Sequence, residues 1–326
     1  MRFANIKNQP DNDRIETSVD LIRRLDDLPA HLTGGAVTIG NFDGVHRGHA
    51  RLIERLRSTA ENVGGPAVVF TFDPHPVWLL RPQDAPPPLT WIERKAELLA
   101  AQGIDALVAY PTDEELLSLP PADFFEQIVV DRLQVRGMVE GPNFFFGHDR
   151  AGNVDTLRRL CRAAEITVEI VEPLRNGDGL VSSSLVRTLI GDGDLRQANS
   201  LLTQPYRIRG MVTHGAGRGS KIGFPTANVD AIDTLLPGDG VFAARSRLEN
   251  GTWPAAVNIG PNPTFGERAH KVEVHLIGFQ GMVYGRPIEV DFLEQLRPIR
   301  PFDSVNQLKQ QLMDDIQAAK SICERM

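Results

Sequence analysis

Two histidines three residues apart, His46 and His49, lie within the glycine-bracketed stretch Gly40-Asn41-Phe42-Asp43-Gly44-Val45-His46-Arg47-Gly48-His49. That spacing puts both imidazoles on one face of a helix's first turn. The first backbone N–H groups of a helix lack partners and the dipole there is positive, so a phosphate is a natural ligand. Two imidazoles over such a site suit an α-phosphate and the charge that develops when a nucleotide is transferred. On this reading Gly40, Phe42, Asp43, Gly44, His46, Gly48 and His49 form a phosphate site. The plainer alternative, histidines that cap a helix and glycines that turn the chain, would suffice for a bare H-x-G-H. The position after the apolar run Ala36-Val37-Thr38-Ile39 and before a helical pattern favours the phosphate.

Three further clusters share this half of the chain. In Thr71-Phe72-Asp73-Pro74-His75-Pro76 the prolines lock a turn that aims Asp73 and His75 toward one crevice. A turn without a ligand would read the same way, and both readings stay open. Gly141-Pro142-Asn143-Phe144-Phe145-Phe146-Gly147 holds three consecutive aromatics, odd in an exposed loop unless they pack beneath it or stack on a planar ligand. Asn143 offers an amide to a ring edge that carries both donors and acceptors; Phe144 and Phe146 are the candidate stacking or plugging rings. Ser182, Ser183 and Ser184 stand at a helix start with Arg187 one turn on. Serine caps need no ligand, yet hydroxyls, free N–H groups and a guanidinium together also make a triphosphate clamp.

The second dense cluster runs from Gly210 to Asn228. Gly215, Gly217 and Gly219 with Arg218 and Lys221 match neither the Walker spacing nor G-x-G-x-x-G. With no helix expected after them, they read as a phosphate loop hung on a β-barrel. Thr226 and Asn228, two apart on extended chain, point to one side. Their oxygens are hard ligands suited to Mg²⁺ beside nucleotide phosphates.

The elements that must position these residues fall into two sets. From Ala36 to about Ser200, candidate strands (Ala36–Ile39, Ala67–Phe72, Ala106–Tyr110, Arg136–Glu140, Thr167–Val171) alternate with helical patterns (Ala50–Thr59, Ile92–Ala101, Ala122–Leu133, Asn153–Ala164, Ser184–Ile190). Alternation of this kind predicts a Rossmann-like α/β domain with a parallel sheet and ligands at the carboxyl ends of its strands. Beyond Pro205, β-branched runs with glycine turns (Tyr206–Thr213, Gly240–Leu248, Trp253–Ile259, Lys271–Ile277, Ile288–Phe292) predict a small antiparallel barrel, closed by an amphipathic helix near Ser304–Ile322. The expected domains are 1–202, with 1–14 a flexible extension, and 203–326. Asn250-Gly251 reads as a hairpin turn.

At 326 residues, with 41% apolar and 24% charged, the chain has room for two cores. A net charge of −7 argues against a general nucleic-acid binder while allowing a local basic pocket. Two cysteines, Cys161 and Cys323, make neither a disulfide framework nor a zinc site. A polar N-terminus without an apolar core, and no stretch of membrane-spanning length, point to the cytoplasm, away from any membrane.

Gly40–His49, Thr71–Pro76, Asn143–Gly147 and Ser182–Arg187 together resemble the N-terminal nucleotidyltransferase module of the bacterial bifunctional riboflavin kinase/FAD synthetase family. The Gly210–Asn228 cluster, with Asn262-Pro263-Thr264-Phe265, Val272-Glu273-Val274-His275, Leu296-Arg297-Pro298 and Phe302-Asp303-Ser304, resembles its flavokinase barrel. One departure is visible: the family's aromatic loop carries an acidic or polar residue followed by a basic one, where this chain reads Pro142-Asn143-Phe144-Phe145-Phe146. The resemblance implies ATP-dependent phosphorylation of riboflavin to FMN, then adenylyl transfer from ATP to FMN giving FAD and pyrophosphate. It implies that His46 and His49 bind ATP phosphates, that Ser182 to Ser184 and Arg187 clamp the pyrophosphate, and that Asn143 and its neighbouring rings hold the flavin. Glu273 occupies the position of the family's base for the ribityl 5′-hydroxyl, work suited to a carboxylate. Two rivals remain: a chain with one active module, and a flavin-binding regulator that keeps the pockets without the chemistry.

Overall fold

In the computed structural model, which describes residues 19–177, 179–215, 217–249, 251–261 and 270–325, the two patterns separate as expected. The 1–14 extension, Asn250 and the Asn262–Phe265 motif, as well as the Arg218 side chain, lie outside the described residues. Six short strands, β1 (Asp20–Ile22), β2 (Ala36–Ile39), β3 (Ala67–Asp73), β4 (Ala106–Pro111), β5 (Gly137–Glu140) and β6 (Thr167–Ile170), form one parallel sheet in the order β1-β4-β3-β2-β5-β6. The order reverses between β2 and β5, and at such a switch point the chain leaves the two strands in opposite directions and opens a crevice above their carboxyl ends. The central strands are buried and mostly apolar at both faces, as helices on both sides demand, with Thr38, Thr71 and Glu140 the buried polar exceptions. Helices Arg47–Val63, Ile92–Ala100 and Val154–Ala163 supply those layers. The segment expected as an ordinary helix over Ala122–Leu133 is an α-turn, Pro121–Phe124, followed by a π-helix, Phe125–Arg132. The wider turn brings Phe124, Phe125, Ile128, Val129 and Leu133 to the core together.

A two-stranded ribbon, β7 (Arg175–Asn176) and β8 (Gly179–Leu180), follows. Helices Ser183–Gly191 and Leu195–Leu201 then lead to the barrel, in which β9 (Arg207–Thr213), β10 (Ala227–Asp230), β11 (Gly240–Leu248), β12 (Gly251–Gly260), β13 (Lys271–Leu276) and β14 (Pro287–Arg297) close antiparallel in the order β10-β13-β12-β11-β14-β9. Helix Val305–Glu324 packs across the outside of β11, β12 and β14 through Ala319 and Ile322. Arg297 grips Asp315 of that helix with three bonds of 2.8–3.1 Å, so this buried charge is paired.

The apolar core does not break at residue 202. Val186, Leu189, Ile190, Leu195, Ala198 and Leu201 are continuous with the barrel interior of Ile208, Phe242, Val257 and Phe292. Asn199 completes the seam: its amide donates to the carbonyls of Phe292 and Leu293 and its oxygen accepts from Tyr206 N–H.

Candidate functional site

The carboxyl ends of β2, β3 and β5 open into a crevice of 660 Å³. His46, His49, His75, Glu140, Asn143 and Phe146 are among its lining. His46 caps helix Arg47–Val63 rather than sitting inside its first turn, and its Nδ1 accepts the His49 N–H at 3.2 Å. The two rings are stacked at 3.6 Å with a 15° tilt. A Cβ at Gly48 would sit 3.0 Å from the His46 ring, so a larger residue there would press on the stack. Burial pushes the His46 imidazole down to about 4, and burial again, with the His46 and Lys95 charges adding, holds His49 well below its usual value. Both rings are therefore neutral near pH 7, with His46 Nδ1 committed to the cap. His49 Nδ1 is buried without a partner.

The loop that carries them is bent hard. Phe42, Gly44 and Val45 all have positive φ (46°, 80° and 41°), and Val45 is β-branched and fully buried. Such a conformation persists only where the surroundings over-determine it. Asp43 is the main restraint: its carboxylate accepts from the N–H groups of Leu89 and Thr90, from the Thr90 hydroxyl and from Arg187. Asp43 thus faces the 89–90 segment and not the crevice, and Arg187, which also donates to the Pro87 carbonyl at 3.1 Å, is held beside it. Ser182 caps helix Ser183–Gly191, and the Ser183 hydroxyl donates to the Asp43 carbonyl at 2.9 Å; Ser184 is exposed. The serine–arginine motif and the histidine loop are therefore one bonded unit 140 residues apart in sequence.

His75 lines the crevice, its Nδ1 accepting from Val77 N–H at 3.0 Å, and burial lowers its pKa. Asp73 turns instead toward Arg23, 3.3 Å away. The aromatic loop divides its labour: Phe146 is buried against Phe124 and stacks on Phe144 at 5.3 Å, while exposed Phe145 lies under the Arg150 guanidinium at 4.6 Å. Asn143 is exposed on the crevice wall.

Two buried ionisable groups here have no counterpart in the motifs. Glu140 is buried at the end of β5, accepts the Ile39 N–H at 2.7 Å and, by desolvation, is held well above the usual carboxylate range. Lys95 is buried on helix Ile92–Ala100 and donates to the Asn41 carbonyl at 2.8 Å. Each left a trace in the sequence. Lys95 interrupts the apolar stripe between Ile92 and Leu99, and Glu140 ends an otherwise apolar strand.

On the barrel, Val272, Val274 and Leu276 of β13 enter the core, which leaves Lys271, Glu273 and His275 on the outer face. Cross-strand register sets Asn258 of β12, Glu273 of β13, Asn228 of β10 and Thr213 of β9 in one polar row. His275 Nδ1 meets the Pro225 carbonyl at 2.7 Å, tying the Thr226 turn to β13. A hollow of 220 Å³ beside the row is lined by Thr213, His214, Gly215, Asn228, Asp230 and Lys271. A Cβ on Gly215 would collide with the Asn228 amide. One expectation is corrected: a five-residue helix, Arg218–Ile222, follows the first glycines, entered through Gly217 and left through Gly223, both left-handed. Gly219 and Lys221 belong to that turn. Two left-handed glycines allow a single helical turn that the chain between them could not otherwise start or stop.

A parallel sheet with paired histidines at a helix start, joined to a closed six-stranded barrel with a glycine loop and a polar strand row, defines a nucleotidyltransferase coupled to a flavokinase-type domain. The family model for FAD synthetase matches residues 28–185, and that for riboflavin kinase matches residues 202–323. The bifunctional riboflavin kinase/FMN adenylyltransferase of Pseudomonas fluorescens is 37% identical over 306 residues, 93% of this chain and 98% of its own. That of Haemophilus influenzae is 34% identical, over 93% and 99%. The chain belongs to the bifunctional riboflavin kinase/FMN adenylyltransferase family. A crystal structure named as a macrolide-efflux protein from Streptococcus pneumoniae matches with a TM-score of 0.82 at 29% identity, covering 93% of this chain and 99% of that one. What that match carries is a shared fold, and among the described residues no helix is long and apolar enough to cross a membrane.

Proposed function

We infer that this chain makes FMN and then FAD: the barrel transfers the ATP γ-phosphoryl group to riboflavin, and the α/β domain transfers an adenylyl group from a second ATP to the FMN. The observation that supports the reading is the coexistence in one chain of two separate clefts, each lined by residues suited to a nucleotide. One is the crevice over a histidine-capped helix; the other is the glycine-edged hollow beside Glu273 and Asn228.

In the first step the ribityl 5′-hydroxyl attacks the γ-phosphorus, the bond to the β-bridging oxygen breaks, and ADP leaves. Glu273 receives the hydroxyl proton, work that asks for position more than basicity. Gly215, Gly217, Arg218, Gly219 and Lys221 hold the phosphates. Thr226 and Asn228 would hold Mg²⁺. The Thr226 hydroxyl and the Asn228 amide oxygen are hard ligands of the kind that Mg²⁺ takes beside nucleotide phosphates. Bound there, the ion neutralises phosphate charge.

In the second step an FMN phosphate oxygen attacks the ATP α-phosphorus and pyrophosphate departs. His46 and His49, neutral and stacked, donate to the α-phosphate as charge gathers on its oxygens, at the start of helix Arg47–Val63. Asp43 acts by fixing Arg187 and the loop, and Ser182, Ser183, Ser184 and Arg187 receive the pyrophosphate. Asn143, Phe144, Phe146 and His75 hold the flavin, with Asp73 steadying their turn. The acidic surface fits small-molecule substrates and no nucleic acid, in the cytoplasm where ATP is abundant. Incubation with riboflavin, ATP and Mg²⁺, with separation of riboflavin, FMN and FAD over time, tests the whole reading. FMN should rise first and FAD after it; FMN without FAD would leave the crevice without its assigned reaction.

A further inference from the structure

Lys95 is a buried ammonium that no motif predicts and that the steps above do not use. Its side chain crosses from helix Ile92–Ala100 to the back of the histidine loop, where it donates to the Asn41 carbonyl at 2.8 Å. The Thr71 hydroxyl donates to the same carbonyl at 3.2 Å. Asn41 immediately precedes the strained Phe42–Val45 turn, and it lines the crevice. Two donors on one carbonyl therefore hold the loop at the point where it leaves β2.

The charge matters as well as the bond. Lys95 lies close enough to His49 and His75 to disfavour a proton on either, with Asp43 and Asp73 the carboxylates that offset its own burial. Arg187 adds a second positive group acting on His75, and Asp43 acts on His46 and His75 in the opposite sense. An ammonium with three donors and a single protein acceptor is costly unless something else repays the burial. A site that receives phosphates would do so, since a fixed cation in a dry cleft favours an incoming anion without reorganising.

We propose that Lys95 is a positioning residue for adenylyl transfer: it locks the Gly40–His49 loop through the Asn41 carbonyl and sets a permanent positive charge behind His49 and His75. This rests on the reading of the crevice as the adenylyl-transfer site. Lys95 touches neither reacting atom; it acts through the loop and through the two rings.

The test uses the full chain with Lys95→Met, Lys95→Arg and His49→Ala. FAD formation from FMN is followed beside FMN formation from riboflavin, and the histidine rings are titrated by NMR. Lys95→Met should lose about a hundredfold in kcat for FAD formation, the scale of one preorganised donor, with FMN formation unchanged. Removing the cation should raise the titration midpoints of His49 and His75. Lys95→Arg keeps the charge, so its midpoints should stay at the wild-type values while kcat falls, because a guanidinium cannot meet the carbonyl at the same point. If the Met variant does not fold, the Arg variant decides alone: wild-type turnover, or midpoints that rise, overturns the proposal. Lost turnover in Lys95→Met with unmoved midpoints would leave only a structural brace and also overturns it. Wild-type FAD formation in Lys95→Met with loss in His49→Ala removes Lys95 and leaves the crevice reading standing. Wild-type FAD formation in both removes the two together.

Discussion

His46→Asn separates the cap from the proton. Asparagine is a good N-cap, so its side-chain oxygen should still take the His49 N–H and the helix should lose only a few tenths of a kcal/mol. What disappears is a buried base whose protonation falls from 6.5 in the unfolded chain to about 4 in the folded one. Between those pH values the unfolded chain binds more protons than the native one, so native stability must fall as the solution is acidified from 6.5 toward 4. The gap corresponds to about 3 kcal/mol, fully lost below pH 4 and fully present above 6.5. His46 is only 6% exposed, so solvent screening takes little from that figure. Urea midpoints of the nucleotide-free chain, measured from pH 4 to 7 for wild type and variant, give the difference directly. The wild-type curve should drop more steeply toward acid, and the two should converge in slope above pH 7. Equal slopes throughout would refute the burial argument, whatever happened to activity. In the same variant FAD formation should fall ~10²–10³-fold, as for loss of one transition-state donor, with riboflavin phosphorylation intact.

Glu140→Gln keeps the bond from Ile39 N–H but removes a carboxyl that folding holds protonated, so the sign is opposite. The native state there binds the extra proton above 4.5, and stability is lost as pH climbs. The variant should therefore gain on wild type between pH 5 and 8, read from urea midpoints; a constant offset would count against it. Glu273→Gln should lower kcat for riboflavin phosphorylation with KM values near normal, and Thr226→Ala or Asn228→Ala should weaken ATP·Mg²⁺ and recover in part at high Mg²⁺; steady-state kinetics with supplied FMN should show FAD formation untouched in all three. A kinase fragment from Asp194 should phosphorylate riboflavin and melt well above one from Thr203, since the shorter piece loses Asn199 and its bonds to Phe292, Leu293 and Tyr206; equal melting temperatures would show the seam to be energetically idle.

The strands that sequence makes plain are those whose burial leaves no choice. Ala36–Ile39, Ala106–Tyr110 and Gly240–Leu248 are continuous or alternating apolar runs, and they fold as they read. Asp20–Ile22 is too short to carry a pattern and is a strand only because β4 offers an edge. Ala227–Asp230 is extended in the sequence reading but too short to stand out as a strand, and β9 and β13 pair with it from either side. Helix Leu195–Leu201 is hidden by its length; its stripe is three residues, Leu195, Ala198 and Leu201. At the site, the types were legible but the partners were not. Ser182–Arg187 reads as a phosphate clamp, while nothing local reveals that Asp43, 144 residues away, holds the guanidinium. Lys95 and Glu140 leave only a break in an apolar pattern, because a buried ionisable group is recognisable as such only from what surrounds it.

The strained loop explains why so many distant residues converge on it. Val45 at a positive φ is a conformation the chain would leave if it were free to, and the apolar sheet cannot hold a backbone in place by direction-free contact alone. Directed bonds do so from four parts of the chain. Leu89 and Thr90 clasp Asp43, Lys95 and Thr71 hold Asn41, Ser183 donates to the Asp43 carbonyl, and the Thr203 hydroxyl donates to the Val45 carbonyl at 2.8 Å. The last comes from the connection into the barrel, where Leu202 also bridges to His46. The barrel returns a second tie, from Leu235 N–H to the Pro88 carbonyl at 2.9 Å, beside the segment that clasps Asp43. The histidine loop is therefore shaped from both sides of the molecule, and the connection between the two domains is part of the wall that sets its geometry.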